Sequence, residues 1–200
     1  RLSIQHLVRL KRQNVTEWQD KFDQIATSLL EQIDILSDAA SEFSSFSRFY
    51  SEELTDVDLK ALAREQISLF DTRDNIDILL NAPMDRAMVI VRKGQIIRVL
   101  VNLISNAIQA VEHLSDGKIV VTISEREDSY SLSVEDNGSG VPDELTNKLF
   151  KPNFTTKSGG TGLGLYICRS VIEQSQGTIS YNRSDKTGGA CFTFVLRKSE

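Results

Sequence analysis

Four polar clusters interrupt an otherwise ordinary soluble sequence, and each holds atoms suited to a single task. Asn102 and Asn106 stand four residues apart inside "IIRVLVNLISNAIQAV", so on a helix they share a face and can present amide oxygens to one point. Asparagine is a poor choice for a helix interior, and a buried amide must find partners. The pair is either tied to neighbouring backbone in a core or turned towards a hard cation such as Mg²⁺, which takes a neutral amide oxygen together with phosphate oxygens and water. In "VEDNGSGVP", Asp136 follows a strand-like alternation that ends at Val134. An Asp-Asn-Gly turn is a common local signal. The same residues could face an ionised carboxylate to the exocyclic amine of a base, with Gly138 and Gly140 letting the base approach the backbone. Such a carboxylate accepts the amino group of adenine and rejects guanine, whose corresponding atom is another acceptor.

The third cluster, "LFKPNFTTKSGG", is too polar and broken for regular structure. Phe150 and Phe154 are its anchors, and Lys157 is either a solvated surface charge or the cation that a mobile lid aims at phosphate. The fourth, "GGTGLGL", runs from Gly159 into an apolar helical pattern. Thr161 can cap that helix. The unpaired N–H groups and positive dipole end of its first turn favour phosphate oxygens. Each cluster alone is weak evidence, and their weight comes from occurring together in this order.

The elements that must position these clusters are readable from periodicity. "LTDVDL" reads as a short strand, residues 60–71 as a helix, "NIDILLN" and "MVIVR" as strands, and residues 94–113 as a strongly apolar helix. "KIVVTISERED" and "SYSLSVED" alternate with period two, as a half-buried antiparallel pair does. Residues 161–176 read as another helix, and "GTISYNRS" with "GGACFTFVLRK" as a closing hairpin. The mixture lacks the regular alternation of a parallel sheet and predicts an α+β two-layer sandwich, a mixed sheet with helices on one face.

Residues 16–50 contain neither Gly nor Pro, and Phe22, Ile25, Leu29, Leu36, Phe43 and Phe46 recur at helical spacing. This predicts one amphipathic helix on the order of 50 Å long. "LSIQHLVRLKR" shows the same habit, with "QNVT" as the turn between the two. A hairpin of this length buries its stripe either on the chain's own C-terminal part or against a second copy; the absence of another helical partner favours a C2 homodimer. The expected division is residues 1–51 as the hairpin and 52–200 as the compact domain.

Composition sets outer bounds. A net charge of -5 over 200 residues argues against a broad nucleic-acid footprint. Cys168 and Cys191 both stand in apolar runs, which points to buried reduced thiols and a cytoplasmic setting rather than to a disulfide. No apolar run reads as long enough to cross a bilayer, and no signal peptide opens the chain. It begins on Arg1 in mid-pattern, as a piece of something larger does.

"NLISNA", "DNGSG", "LFKPNFTTK" and "GTGLGL" resemble the N box, first glycine box, phenylalanine box and second glycine box of the GHKL ATPase superfamily, in the version found in sensor histidine kinases. "FTTK" and "NAIQA" are similar to the nitrogen-regulatory branch, and the helix ending "EFSSFSRF" resembles the second helix of that branch's dimerisation and phosphotransfer domain. The resemblance implies a GHKL fold preceded by a helical-hairpin dimerisation segment, with ATP and Mg²⁺ as cofactors and a response regulator receiver domain as partner. It implies membrane attachment, if any, only through segments outside this chain. By the same resemblance Asn106 ligates Mg²⁺ with Asn102 beside it, Asp136 binds the adenine amino group, and Gly138 and Gly140 shape the base pocket. Phe150 anchors the lid formed by Thr155, Thr156 and Lys157; Gly160, Thr161, Gly162, Leu163 and Gly164 hold phosphates. Asn102 and Lys157 are the residues it places in catalysis.

Two departures stand out. Gln109 occupies a place where many histidine kinases carry a basic residue. The family's phosphoacceptor histidine is followed by an acidic residue and, four positions on, by Asn or Thr. His6 is followed by Leu7 and Leu10, and His113 ends a helix, so neither fits. The reading is a kinase core that binds ATP without a phosphoacceptor of its own. The alternatives are a nucleotide-binding regulatory module without turnover, and a GHKL ATPase that hydrolyses ATP to water. The latter use a glutamate as general base where this chain has Asn102, and an amide cannot activate water that way.

Overall fold

The computed structural model describes residues 52–70, 75–157 and 161–199. The chain divides into two compact units, one of residues 1–48 with 156–161 and the other of Phe49–Thr155 with Gly162–Glu200. The expected hairpin and its dimer lie outside the described residues, as do Ser158 to Gly160. The larger unit contains every described strand and helix.

Its elements run in the order β1 (Thr55–Asp58), α1 (Leu59–Ser68), β2 (Ile76–Asn81), β3 (Met88–Val91), α2 (Lys93–Val111), β4 (Gly117–Glu125), β5 (Ser129–Asp136), α3 (Asp143–Thr146), α4 (Gly164–Gln174), β6 (Thr178–Arg183) and β7 (Ala190–Arg197). Strands β2, β4, β5, β7 and β6 form one five-stranded sheet in that spatial order, and β1 pairs with β3 in a separate two-stranded sheet. The β2–β4 pair is parallel and the other pairs are antiparallel. The sheet is therefore mixed, as the sequence predicts, and its parallel pair is made by a crossover through β3 and α2.

Period-two alternation decides which face of the sheet is covered. Ile119, Val121 and Ile123 on β4, Leu132 and Val134 on β5, and Phe194 and Leu196 on β7 are all at most 1% exposed, while most of the residues between them are half-buried or open. Against that row lies α2, whose Ile96, Val99, Leu100, Leu103, Ile104, Ala107, Ile108 and Val111 recur every three or four residues and are buried. Each large apolar side chain among them contributes about 1.5–3 kcal/mol by leaving water. By length and composition α2 is apolar enough to cross a membrane, which corrects the expectation that no run is. Here its apolar stripe is the centre of the core, with Val99, Leu100 and Ile104 fully buried.

Helix ends are set locally. Asp58 caps α1 by accepting from Lys60 N at 3.0 Å, and the same Oδ1 accepts from Ala87 N at 3.0 Å. The start of α2 has no cap of its own; Glu52 supplies one from a distance, its Oε1 accepting from Gly94 N at 3.0 Å while Arg92 Nε donates to the Glu52 carbonyl at 2.8 Å. Helix α4 begins at Gly164 with Leu163 as its cap residue and no side-chain cap bond. Thr161 is therefore not the cap that the sequence suggested. Cys168 is buried in α4, which pushes its thiol up to about 12, and Cys191 is only half-buried; both thiols are free.

Candidate functional site

Strand β5 carries Tyr130, Leu132, Val134 and Asp136 on one face by simple alternation. Asp136 is thus the last residue of an apolar row, paired across from Ile119 and only 3% exposed. A carboxylate there needs donors, and two main-chain groups supply them: Gly138 N at 2.9 Å and Ala190 N at 3.1 Å, both to Oδ1. Burial raises the carboxyl above its ordinary 3.8, partly offset by those two bonds, with the Glu135 charge adding to the rise. Both main-chain donors reach Oδ1, which leaves Oδ2 as the second acceptor oxygen of the carboxylate. It is an acceptor ready for one donor.

The turn that follows is held on three sides. Asn137 spends its side chain on the sheet end, accepting from Lys118 N at 2.7 Å and donating to the Asp116 carbonyl at 2.8 Å. Val141 N donates to Tyr181 Oη at 3.0 Å, and Arg183 Nη2 donates to the Ser139 carbonyl at 3.3 Å. On the third side Gly138 packs against α2 so closely that a Cβ would stand 2.8 Å from the Ala110 carbonyl oxygen. Gly140 takes φ +69° at the turn's far end.

Asn102 and Asn106 lie on α2 with both side chains half-buried, and Asn106 Nδ2 donates to Asn102 Oδ1 at 2.9 Å. The bond commits one amide nitrogen to the pair and turns the Asn106 carbonyl oxygen to the opposite edge of its amide plane. At Asn102 the first turn of α4 closes in, and a Cβ on Gly164 would collide with the Asn102 amide. The start of α4 is thereby set beside the amide pair. Gly162, just before it, takes φ +68° and leaves room for the chain at Asn153 and Phe154, where a Cβ would come within 2.6 Å and 2.7 Å of main-chain atoms. Only glycine fits both conditions.

Helix α2 is therefore the common support. Asn102 meets Gly164, Asn106 is bonded to Asn102, and Ala110 meets Gly138. Positions four apart on a helix are separated by about 6 Å along its axis. Three of the four clusters thus gather along successive turns of one helix.

The third cluster contributes its anchors. Phe150 packs edge-on against Phe192 with centroids 6.3 Å apart, and Phe154 is half-buried against the core. Thr155 is exposed at the end of this stretch. Thr156, Lys157 and Thr161 belong to the smaller unit, and Gly160 lies outside the described residues. His113 sits in the exposed turn just past α2, which ends at Val111. Among the described residues no group of three or more His, Cys, Asp or Glu side chains could hold a metal ion.

Sequence reasoning missed the turn between β6 and β7. Thr187 Oγ1 donates to the Asp136 carbonyl at 2.6 Å, and Ala190 supplies one of the two N–H groups on the carboxylate. "SDKTGGA" offers only a generic turn signal, and its contact with a residue some fifty positions earlier follows from the β5–β7 register.

The family described as "Histidine kinase-, DNA gyrase B-, and HSP90-like ATPase" matches residues 92–200. Nitrogen regulation protein NtrY of Azorhizobium caulinodans is 27% identical over 98% of this chain, which covers 26% of that protein. Signal transduction histidine-protein kinase AtoS of Escherichia coli is 33% identical over 84% of this chain and 28% of its own length. The chain thus spans little more than a quarter of these relatives. Among solved structures, the nucleotide-free catalytic domain of histidine kinase ThkA is 37% identical with a TM-score of 0.67, covering 73% of this chain and 96% of that one. ThkA in complex with response regulator protein TrrA is similar over 99% of this chain and 57% of that one, at 28% identity and a TM-score of 0.67.

Proposed function

The chain belongs to the histidine kinase-, DNA gyrase B-, and HSP90-like ATPase family, and we propose that it is the ATP-binding catalytic part of a sensor histidine kinase. The observation that carries this is the gathering of Asn102, Asn106, Gly164, Gly138 and Asp136 along α2. In this reading Asp136 Oδ2 accepts one N–H of the adenine amino group, and Gly138 and Gly140 let the base approach the turn. The first turn of α4, from Leu163 and Gly164, with Gly160, Thr161 and Gly162 before it, takes phosphate oxygens.

Mg²⁺ fits this residue set as a companion of the nucleotide rather than as a resident ion. With no acidic cluster among the described residues, its ligands are phosphate oxygens, water and Asn106 Oδ1, which Asn102 orients. When bound it neutralises charge on the transferring phosphoryl group. Asn102 and Lys157 are the proposed catalytic pair, one holding the amide geometry and the other bringing positive charge with Thr155 and Thr156 in a lid anchored by Phe150. The phosphoacceptor histidine is not His6 or His113.

Residues 1–51 are proposed as part of the dimerisation and phosphotransfer hairpin, and 52–200 as the catalytic domain. The partners are a second copy of the chain and a response regulator receiver domain; the similar histidine kinase ThkA is solved in complex with response regulator protein TrrA. The setting is the cytoplasm, with any membrane anchor elsewhere in the protein.

Phosphate transfer tests the reading. The chain is extended upstream to include a histidine-bearing first helix and incubated with Mg²⁺ and ATP labelled on the γ-phosphate. Acid-labile label on a histidine is the expected result. Nucleotide binding without labelled protein would point instead to a regulatory module without turnover.

A further inference from the structure

We propose that the β6–β7 turn is a selectivity device, in which Thr187 and Gly189 are positioning residues that fix the plane of the Asp136 carboxylate. The inference rests on the nucleotide reading of the site. Strands β5 and β7 pair regularly from Ser129↔Arg197 to Glu135↔Cys191. At the next step the ladder is replaced: Ala190 N donates to the Asp136 side chain at 3.1 Å instead of continuing the main-chain pairing. The replacement requires the turn to sit against Asp136, and three features hold it there.

The first is Thr187, whose hydroxyl donates to the Asp136 carbonyl at 2.6 Å and accepts from Gly189 N at 3.3 Å. Its hydroxyl therefore ties together the main chain of Asp136 and the residue just before Ala190. The second is Gly189, which is buried and lies so close that a Cβ would stand 2.6 Å from Asp136 Oδ1 and would collide with the Asp136 carbonyl. Any side chain there would push the carboxylate out of its present plane. The third is a brace behind the turn. Ser184 accepts from Lys186 N and Thr187 N at 3.1 Å and 3.0 Å, and its own hydroxyl donates to Glu135 Oε1.

The consequence is chemical. With Oδ1 fixed by Gly138 N and Ala190 N, the remaining lone pairs of Oδ2 lie in a set plane and direction. One N–H donor in that direction is accepted, and an acceptor there is repelled. A carboxylate free to rotate would accept water or a displaced ligand instead, and the distinction between an amino-bearing purine and one without it would fade. Thr187 and Gly189 act through Asp136, whose main chain and carboxylate they hold in place.

The test is calorimetric titration of the unaltered chain and of Thr187→Val, Thr187→Ser and Gly189→Ala with two nucleotides, ATP and the purine riboside triphosphate that lacks the 6-amino group. Circular dichroism checks that each protein is folded. The preference for ATP over the amino-less analogue is expected to fall about tenfold in Thr187→Val and Gly189→Ala, to survive in Thr187→Ser, and to change little in affinity for the analogue itself. If both nucleotides weaken equally, or the preference is unaltered in both variants, the turn is only structural and the proposal is wrong. Failure of the unaltered chain to bind ATP at all would instead overturn the nucleotide reading on which the proposal rests. Gly189→Ala keeps the hydroxyl, so it still decides the matter should Thr187→Val fail to fold.

Discussion

Asn106 donates its amide N–H to Asn102 Oδ1 at 2.9 Å, one turn apart on the central helix. The two amides act as one unit, because the bond to Asn102 fixes which edge of the Asn106 amide carries the oxygen. Asn102→Ala removes that constraint while leaving the proposed cation ligand in place. Mg²⁺-dependent tightening of ATP binding is expected to drop by about tenfold, the equivalent of one hydrogen bond of ~1.4 kcal/mol. Titrations with and without Mg²⁺ measure it, and metal-free binding is expected to change much less.

Gly164 is the point where α4 meets that pair. In Gly164→Ala the new methyl group collides with the Asn102 amide, so either the helix start or the amide moves. Overpacking of this kind costs about 1–3 kcal/mol. Thermal unfolding should show the loss in the absence of any nucleotide, and ATP affinity should fall with it.

The buried carboxylate predicts effects of opposite sign on stability and on binding. Burial raises the Asp136 carboxyl above 3.8, so between that value and its folded-state pKa the native chain holds a proton that the unfolded chain has lost. Stability of the ligand-free protein therefore falls as pH rises through that window and remains lower above it. ATP binding needs the carboxylate and weakens as pH falls through the same window. Asp136→Asn removes the charge yet keeps an oxygen for Gly138 N and Ala190 N, which places NH₂ where Oδ2 stood. Its melting temperature without ligand is expected to rise at neutral pH, while ATP affinity falls by about a hundredfold, ~3 kcal/mol, because donor faces donor.

Tyr181 ties the turn after Asp136 to β6 through Val141 N and also packs against Phe192, with ring centroids 5.2 Å apart. Tyr181→Phe keeps the ring contact and removes only the hydroxyl. A loss of about 1 kcal/mol in unfolding free energy is expected. Faster amide hydrogen exchange at residues 138–141 would locate that loss in the turn.

What the sequence could reveal was what local periodicity encodes. Leu132, Val134 and Asp136 declare one strand face by alternation, and Asn102 and Asn106 declare one helix face by their spacing. The strands and helices expected from 52 onwards are all present, with ends shifted by a few residues. Long-range partners were hidden. Nothing in "SDKTGGA" announces that Ala190 N reaches Asp136, since that depends on how β7 registers against β5. Thr161 looked like a cap because it is a good capping residue near a helix start, yet α4 begins at Gly164, where Asn102 occupies the neighbouring space. The cap of α2 was equally invisible, because Glu52 comes from some forty residues earlier.

The central claim is that Asp136 and the clusters along α2 form one adenine-nucleotide site. It is tested most directly by titrating the chain with ATP and GTP, each with and without Mg²⁺, beside Asp136→Asn. Binding of ATP that Mg²⁺ tightens, with no measurable binding of GTP and with ATP bound about a hundredfold more weakly by the Asp136→Asn chain, is the predicted result. Equal binding of ATP and GTP, or ATP binding that survives Asp136→Asn unchanged, would contradict it.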